Sequence, residues 1–76
     1  MKKVTVSLAS INDVKSFVNI VTKYDFDVDL ISGRYVVDAK SIMGIFSLDL
    51  SQPIEVQVQN DDCAAFMDEI KPFIIG

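Results

Sequence analysis

The sequence predicts a two-layer α+β domain, a four-stranded antiparallel sheet covered on one face by three helices. Three observations carry that reading. Four stretches alternate apolar and polar residues with the two-residue period of a half-buried strand; three others repeat their apolar residues at helical spacing; and the two kinds are interleaved as β-α-β-β-α-β-α. Strands with one wet face belong to an antiparallel sheet, because parallel sheets are covered on both faces and read as continuous apolar runs. With 76 residues, half of them apolar and spread through the chain, there is material for one core and one domain, residues 1–76.

The first strand is read from Lys3 to Leu8, with Val4, Val6 and Leu8 on one face and Lys3, Thr5 and Ser7 on the other. Ser10, with Asp13 three residues on, has the spacing of a helix N-cap followed by a capping-box-like acid. Ile11, Val14, Phe17 or Val18, and Val21 then form a buried stripe, and Asn12, Lys15, Asn19 and Lys23 fall on the wet side. The helix is expected to fade near Lys23-Tyr24, because Asp25-Phe26-Asp27-Val28-Asp29-Leu30 alternates acid with apolar without a break, the clearest strand signal in the chain. Ser32-Gly33 supplies a turn, and Arg34 to Asp38 returns as the second strand of a hairpin.

Ser41 caps a second helix expected over about 42–50, in which Ile42, Ile45, Phe46 and Leu50 form a core stripe and Met43 and Leu48 lie toward its edges. After Pro53 the run Ile54-Glu55-Val56-Gln57-Val58-Gln59 alternates strictly, so a fourth strand buries Ile54, Val56 and Val58. A last helix begins at Asn60 or Asp61. It places Asp61 and Asp62 in the first turn, where the helix dipole favours acids, and buries Phe66, Met67 and Ile70 before Pro72 ends it. The apolar tail Phe73-Ile74-Ile75 either closes the core or offers an edge for self-association as a homodimer.

Composition narrows the function classes. The chain has no histidine and a lone Cys63, so neither an internal disulfide nor a Cys/His metal cluster is expected, and no thiol–imidazole pair can be assembled. An enzyme is therefore the weakest reading, and neither a metal nor another cofactor is expected. Cys63 reads as a small buried apolar residue. Seven basic against eleven acidic residues give a net charge of −4, the wrong sign for binding nucleic acid or an anionic membrane surface. No apolar run approaches the roughly 20 residues of a membrane span, and the start alternates at once, unlike a signal peptide; a cytoplasmic location is expected. The acids Asp25, Asp27 and Asp29 read as the solvated face of a strand, with a spacing that would suit at most a weak cation site.

One run goes further. Lys40-Ser41-Ile42-Met43-Gly44, followed by Ser47-Leu48 and by Ile54-Glu55-Val56, with Lys23-Tyr24-Asp25 closing the first helix, resembles HPr, the histidine-phosphocarrier family of the bacterial sugar phosphotransferase system. The resemblance runs from about Ser10 to Val58 and implies an open-faced β-sandwich with sheet order 1-4-2-3. It implies that Ser41 matches the regulatory phosphorylation site of Gram-positive-type members. It also implies that Lys40, Met43, Gly44 and Phe46 lie on a surface used to dock protein partners, among them an HPr kinase, other phosphotransferase-system proteins and a transcription regulator.

The chain departs from the family where phosphate is carried. Carriers have a His-Ala-Arg-Pro type sequence at the start of the first helix, and here the stretch reads Ala9-Ser10-Ile11-Asn12-Asp13-Val14-Lys15. Ungapped alignment back from Lys23-Tyr24-Asp25 places Ser10 at the histidine position, and a two-residue gap places Asn12 there. Neither forms a phosphoimidazole, and a serine phosphate ester is too stable to pass its phosphoryl group onward. Asp49 and Pro53 stand where the family usually has glycines. The sequence thus reads as a regulatory or adaptor member acting through the Ser41 helix. The alternatives are a degenerate carrier that accepts phosphate on Asp13 as an acyl phosphate, and an interaction module that keeps only the fold. The plainer role of Ser41 is that of a cap, contributing about 1 kcal/mol through one hydrogen bond.

Overall fold

The computed structural model describes residues 2–76. Its elements follow the expected order: β1 (Lys2–Val6), α1 (Ile11–Val21), β2 (Val28–Ser32), β3 (Tyr35–Asp38), α2 (Ile42–Phe46), β4 (Ile54–Val58) and α3 (Ala64–Ile70), with a 3₁₀ turn at Lys71–Phe73. The sheet runs β1-β4-β2-β3 and every pairing is antiparallel. The fold is the α+β open-faced sandwich, order 1-4-2-3, with three helices. Among the described residues no helix is long and apolar enough to cross a membrane.

Register and alternation together explain the core. Val4 pairs with Val56, Val56 with Leu30 and Leu30 with Val37, so one row of apolar residues crosses all four strands. Val6, Val28, Leu30, Ile54, Val56 and Val58 are fully buried beneath the helices, together with Val14, Phe17 and Val21 of α1 and Phe66 and Ile70 of α3. Each such side chain contributes roughly 1.5–3 kcal/mol through burial. The opposite face carries Lys3, Gln57, Asp29 and Asp38 as one row and Thr5, Glu55, Ile31 and Val36 as the next.

Several expected boundaries move, each for a local reason. β1 ends at Val6, although Leu8 is still fully buried beyond it. The acid–apolar run was expected as a strand from Asp25, yet β2 starts only at Val28. Phe26 is drawn instead into an aromatic cluster, 5.2 Å from Tyr24 and 5.6 Å from Phe66 between ring centroids. Asp25 and Asp27 therefore precede the strand, and the row of three acids that would have suited a cation does not form. The hairpin turn is Gly33-Arg34 rather than Ser32-Gly33, because Ser32 pairs with Tyr35. Gly33 has φ 60° and no other described residue has a positive φ, which places glycine at the first central position of a two-residue loop, as a type II′ turn requires.

The second helix was expected to reach residue 50 and stops at Phe46. Ser47 Oγ donates to the Gly44 carbonyl at 2.6 Å and Leu48 N–H to the Ile45 carbonyl at 3.0 Å, so the chain tightens into turns instead of continuing. Leu48 is consequently buried, whereas Phe46, expected in the core, is 39% exposed. Ile11, also expected in the buried stripe, is 61% exposed. The last helix starts at Ala64, not at Asn60 or Asp61. Asn60 Oδ1 accepts the Asp62 N–H at 3.0 Å in a local turn that competes with a helical start. The helix end is as expected: α3 stops at Ile70, capped by Lys71 ahead of Pro72, and Pro72 then sits in the 3₁₀ turn, where its missing N–H is tolerated.

The tail closes the fold along β1. Ile74 bridges Val6, Ser7 N–H donates to the Phe73 carbonyl at 2.8 Å, and Ile75 N–H to the Thr5 carbonyl at 2.8 Å. Phe73 meets buried Phe17 edge-to-face at 5.9 Å. The edge of β1 is thus occupied by the chain's own terminus, and of the two roles expected for the tail it takes the closing one, with Phe73 and Ile74 packed against the core.

Candidate functional site

Two helix starts hold the residues singled out by the sequence. At the first, Ser10 has extended backbone (φ −134°, ψ 163°), and its Oγ accepts the Asp13 N–H at 3.1 Å, the geometry of an N-cap. Ser10 and Asn12 are both exposed, and Asp13 is half-buried. Ser10 is thus held as a cap of an eleven-residue helix. Its backbone carbonyl also accepts the Val14 N–H at 3.1 Å, the first bond of the helix.

At the second start Ser41 is exposed and extended (φ −101°, ψ 100°), and its Oγ accepts the Gly44 N–H at 3.3 Å. The approach to it is set by Asp38: Oδ1 accepts the Lys40 N–H at 2.9 Å and the backbone carbonyl accepts the Ser41 N–H at 3.0 Å. This tight turn carries the chain from the edge of the sheet onto the helical layer, where α2 packs against both α1 and β3. One turn of helix lies below Ser41, so its dipole is small, but the first backbone N–H groups of α2 are still without helical partners.

The surrounding side chains divide cleanly. Ile45 and Leu48 anchor α2 in the core. Met43 is 77% exposed and Phe46, three residues on in the same helix, is 39% exposed, while Lys40 is half-buried. At Gly44 the chain itself comes close: a Cβ there would lie 3.3 Å from Ser41 Oγ and 3.5 Å from the Val37 Cβ.

Downstream, Asp49 accepts the Ser51 hydroxyl at 2.5 Å and the Ser51 N–H at 3.1 Å. The hydroxyl first and the backbone N–H second hold its carboxyl below the ordinary range, so the loop after α2 stays negatively charged. A polar cluster not anticipated as a site joins α1 to α3: Glu69 accepts from Lys23 Nζ and from the Tyr24 hydroxyl. Its sequence signal was present only as the Lys23-Tyr24 end of the first helix, with nothing local to name Glu69 as the partner. Cys63 is buried. Among the described residues there is no cavity and no group of three or more His, Cys, Asp or Glu placed to hold a metal ion. What the arrangement offers is a modifiable hydroxyl at a helix start beside an accessible apolar surface.

Comparison with known proteins agrees with this architecture. A family model described as the PTS HPr component phosphorylation site matches residues 3–75. The chain is similar to the solved structure of HPr-C-His from Thermoanaerobacter tengcongensis, with 26% identity over 95% of this chain and 89% of that one and a TM-score of 0.79. It is also similar to the phosphocarrier protein HPr from Bacillus anthracis str. Ames, with 25% identity over 97% and 94% of the two chains and a TM-score of 0.72. A Mycoplasma histidine-containing phosphocarrier protein shares the fold at 16% identity, 99% and 100% coverage and a TM-score of 0.77. No match was found among the curated proteins.

Proposed function

Because this chain belongs to the HPr phosphocarrier family of the phosphotransferase system, we propose that it is a regulatory or adaptor member acting through the surface around Ser41, and not a histidine phosphocarrier. The observation that carries this is that the chain contains no histidine to carry a phosphoryl group, while the Ser41 helix start is accessible. Ser10 and Ser41 are both exposed, hydrogen-bonded caps. Ser41 is followed in its short helix by the exposed Met43 and Phe46.

Phosphorylation of Ser41 suits that geometry. A phosphate on Oγ brings acceptor oxygens to the unpaired N–H groups of Ile42 and Met43 and adds up to about two negative charges beside an apolar patch. A partner docked on Met43 and Phe46 by apolar contact is then weakened, and one that presents arginine is strengthened. The partners of this reading are cytoplasmic proteins: an HPr kinase, other phosphotransferase-system components and a transcription regulator. Asp49, bonded to Ser51 in the loop after α2, adds a negative charge at the far end of the helix that a glycine there would not.

Incubation with an HPr serine kinase and ATP, followed by intact mass measurement, tests the reading. One added phosphoryl group, absent in Ser41→Ala, is the expected result. No addition to the wild-type chain removes the regulatory core of the proposal. A hydroxylamine-labile phosphate acquired instead from the phosphoenolpyruvate-dependent donor, and lost in Asp13→Ala, points to a degenerate carrier.

A further inference from the structure

The described residues carry oxidisable sulfur at three positions, and the fold shields two of them. Cys63 is buried. Met67, on α3, is half-buried and packed against the core. Met43 stands 77% exposed in the first turn of α2, two residues after the Ser41 cap.

Met43 is also the residue of α2 on which the fold depends least. The helix is anchored by buried Ile45 and, beyond its end, by buried Leu48. Its start is held by the Gly44 N–H on Ser41 Oγ and by the Ile45 N–H on the Ser41 carbonyl at 3.1 Å. An oxygen added to a side chain that is mostly in water leaves this packing as it was, yet it changes what a docking partner meets. Phe46, 39% exposed, lies three residues on in the same helix, the spacing at which helical side chains are surface neighbours.

We propose that Met43 is a redox modification site, at which a peroxide converts the thioether to the sulfoxide and thereby weakens binding of the serine kinase to the Ser41 surface. This rests on the reading of that surface as the docking site. The sulfur gives an electron pair to one peroxide oxygen, so that an S–O bond forms as the O–O bond breaks. Sulfur loses two electrons, and the departing hydroxide takes the proton left on the transferred oxygen and becomes water. No side-chain acid, base or nucleophile takes part, so the step is open to a chain without histidine. The product exchanges an apolar, polarisable end for a polar one that must be desolvated whenever a partner covers it. A methionine sulfoxide reductase reverses the change. The surface then has two inputs in sequence: oxidation governs the encounter with the kinase, and phosphorylation follows it.

The test treats the full chain with hydrogen peroxide, locates the added oxygen by peptide mass mapping, and offers the product to an HPr serine kinase and ATP over a range of chain concentrations. Met43 is expected to oxidise several-fold faster than Met67, and the thermal midpoint to stay unchanged while Met67 is intact. For the oxidised chain KM is expected to rise about tenfold, the effect of losing one apolar side chain from a docked surface, with kcat within about twofold because Ser41 Oγ is untouched. Met43→Leu, treated in the same way, keeps Met1, Met67 and Cys63 and is expected to show no rise with peroxide. Sulfoxide reductase is expected to return the wild-type KM. Four results overturn the proposal while leaving phosphorylation of Ser41 in place: Met67 oxidised as fast as Met43, a lowered midpoint with Met67 intact, an unchanged KM, or the same rise in Met43→Leu. An untreated chain that accepts no phosphate is a distinct result, which removes the reading of Ser41 and this regulation with it.

Discussion

Gly44 sits so close to its own cap that a Cβ there would lie 3.3 Å from Ser41 Oγ, the atom that accepts the Gly44 N–H. Replacing it with alanine gains about 1 kcal/mol of helix propensity but pushes on a hydroxyl whose cap bond is worth about the same. Gly44→Ala is therefore expected to change stability by less than about 1 kcal/mol, whereas Gly44→Leu, which overfills the space against Val37, costs about 1–3 kcal/mol. Urea midpoints of the two variants check this ordering. Equal losses for both would show that α2 does not sit against β3 as described.

Glu69 ties α1 to α3 and gives the chain a pH signature on both sides. Its carboxyl is held low, first by Lys23 and then by the Tyr24 hydroxyl, so its contribution is complete above the unfolded carboxylate range and is lost as pH falls through the folded value. Tyr24 is raised by the bond to Glu69, by burial and by the carboxylate charge. Its contribution is complete below the ordinary phenol range and is lost as pH rises through the folded value. Thermal midpoints against pH are expected to flatten on the acid limb in Glu69→Gln. Tyr24→Phe flattens the alkaline limb and keeps most of the acid one, because Lys23 remains. An acid limb unchanged in Glu69→Gln would show that the cluster does not form.

Two phenylalanines that look alike in sequence should behave differently. Phe66 is fully buried and meets Tyr24 and Phe26 edge-to-face at 5.4 and 5.6 Å, while Phe46 is 39% exposed. Phe66→Ala is expected to cost about 3–5 kcal/mol, comparable to the whole stability of a small domain, so that most of the protein is unfolded at room temperature. Phe46→Ala costs roughly half of that or less, because part of its ring gains nothing from folding. Near-ultraviolet circular dichroism separates the outcomes, and a folded Phe66→Ala would overturn the assignment of the core.

Deleting residues 73–76 removes the backbone cover of β1 and the Phe17–Phe73 contact together. A fall of about 2–3 kcal/mol is expected from the lost packing of the partly buried Phe73. An exposed β1 edge should then add aggregation on heating, which the full chain lacks at the same concentration. Light scattering during a thermal ramp reads it directly. A truncated chain that melts like the full one would mean that the tail is not part of the fold.

Much of the fold was legible because its strands obey a strict period: Ile54, Val56 and Val58 are all buried, as their alternation requires. Ser10 and Ser41 were legible as caps because serine followed by a helical apolar pattern leaves few other readings. What misled was long-range. The alternation through Asp25-Phe26-Asp27 is as regular as any in the chain, yet Phe26 belongs to a cluster whose other member, Phe66, lies forty residues away. Phe46 and Ile11 have the right spacing for the core and are exposed, Phe46 as the last residue of a helix that stops early and Ile11 as the first residue of α1. Glu69 could not be named as the partner of Lys23 from local pattern at all.

Ser41 is both cap and candidate switch, and three substitutions separate the roles. Ser41→Ala removes the acceptor of the Gly44 N–H and should cost about 1 kcal/mol. Ser41→Asp keeps a short acceptor at the same place and adds charge, so stability is expected to stay within about 0.5 kcal/mol of the wild type. Ser41→Asn is the neutral counterpart, a cap of similar strength without the charge. If Ser41 acts only as a cap, partners recovered by the chain differ between the alanine variant and the others and follow stability. If its charge is the signal, binding follows charge: Asp stands apart, and Asn and wild type coincide despite equal stability in all three. Thermal melts alongside titration of each variant with an isolated partner distinguish the two, because only the second outcome separates Asp from Asn.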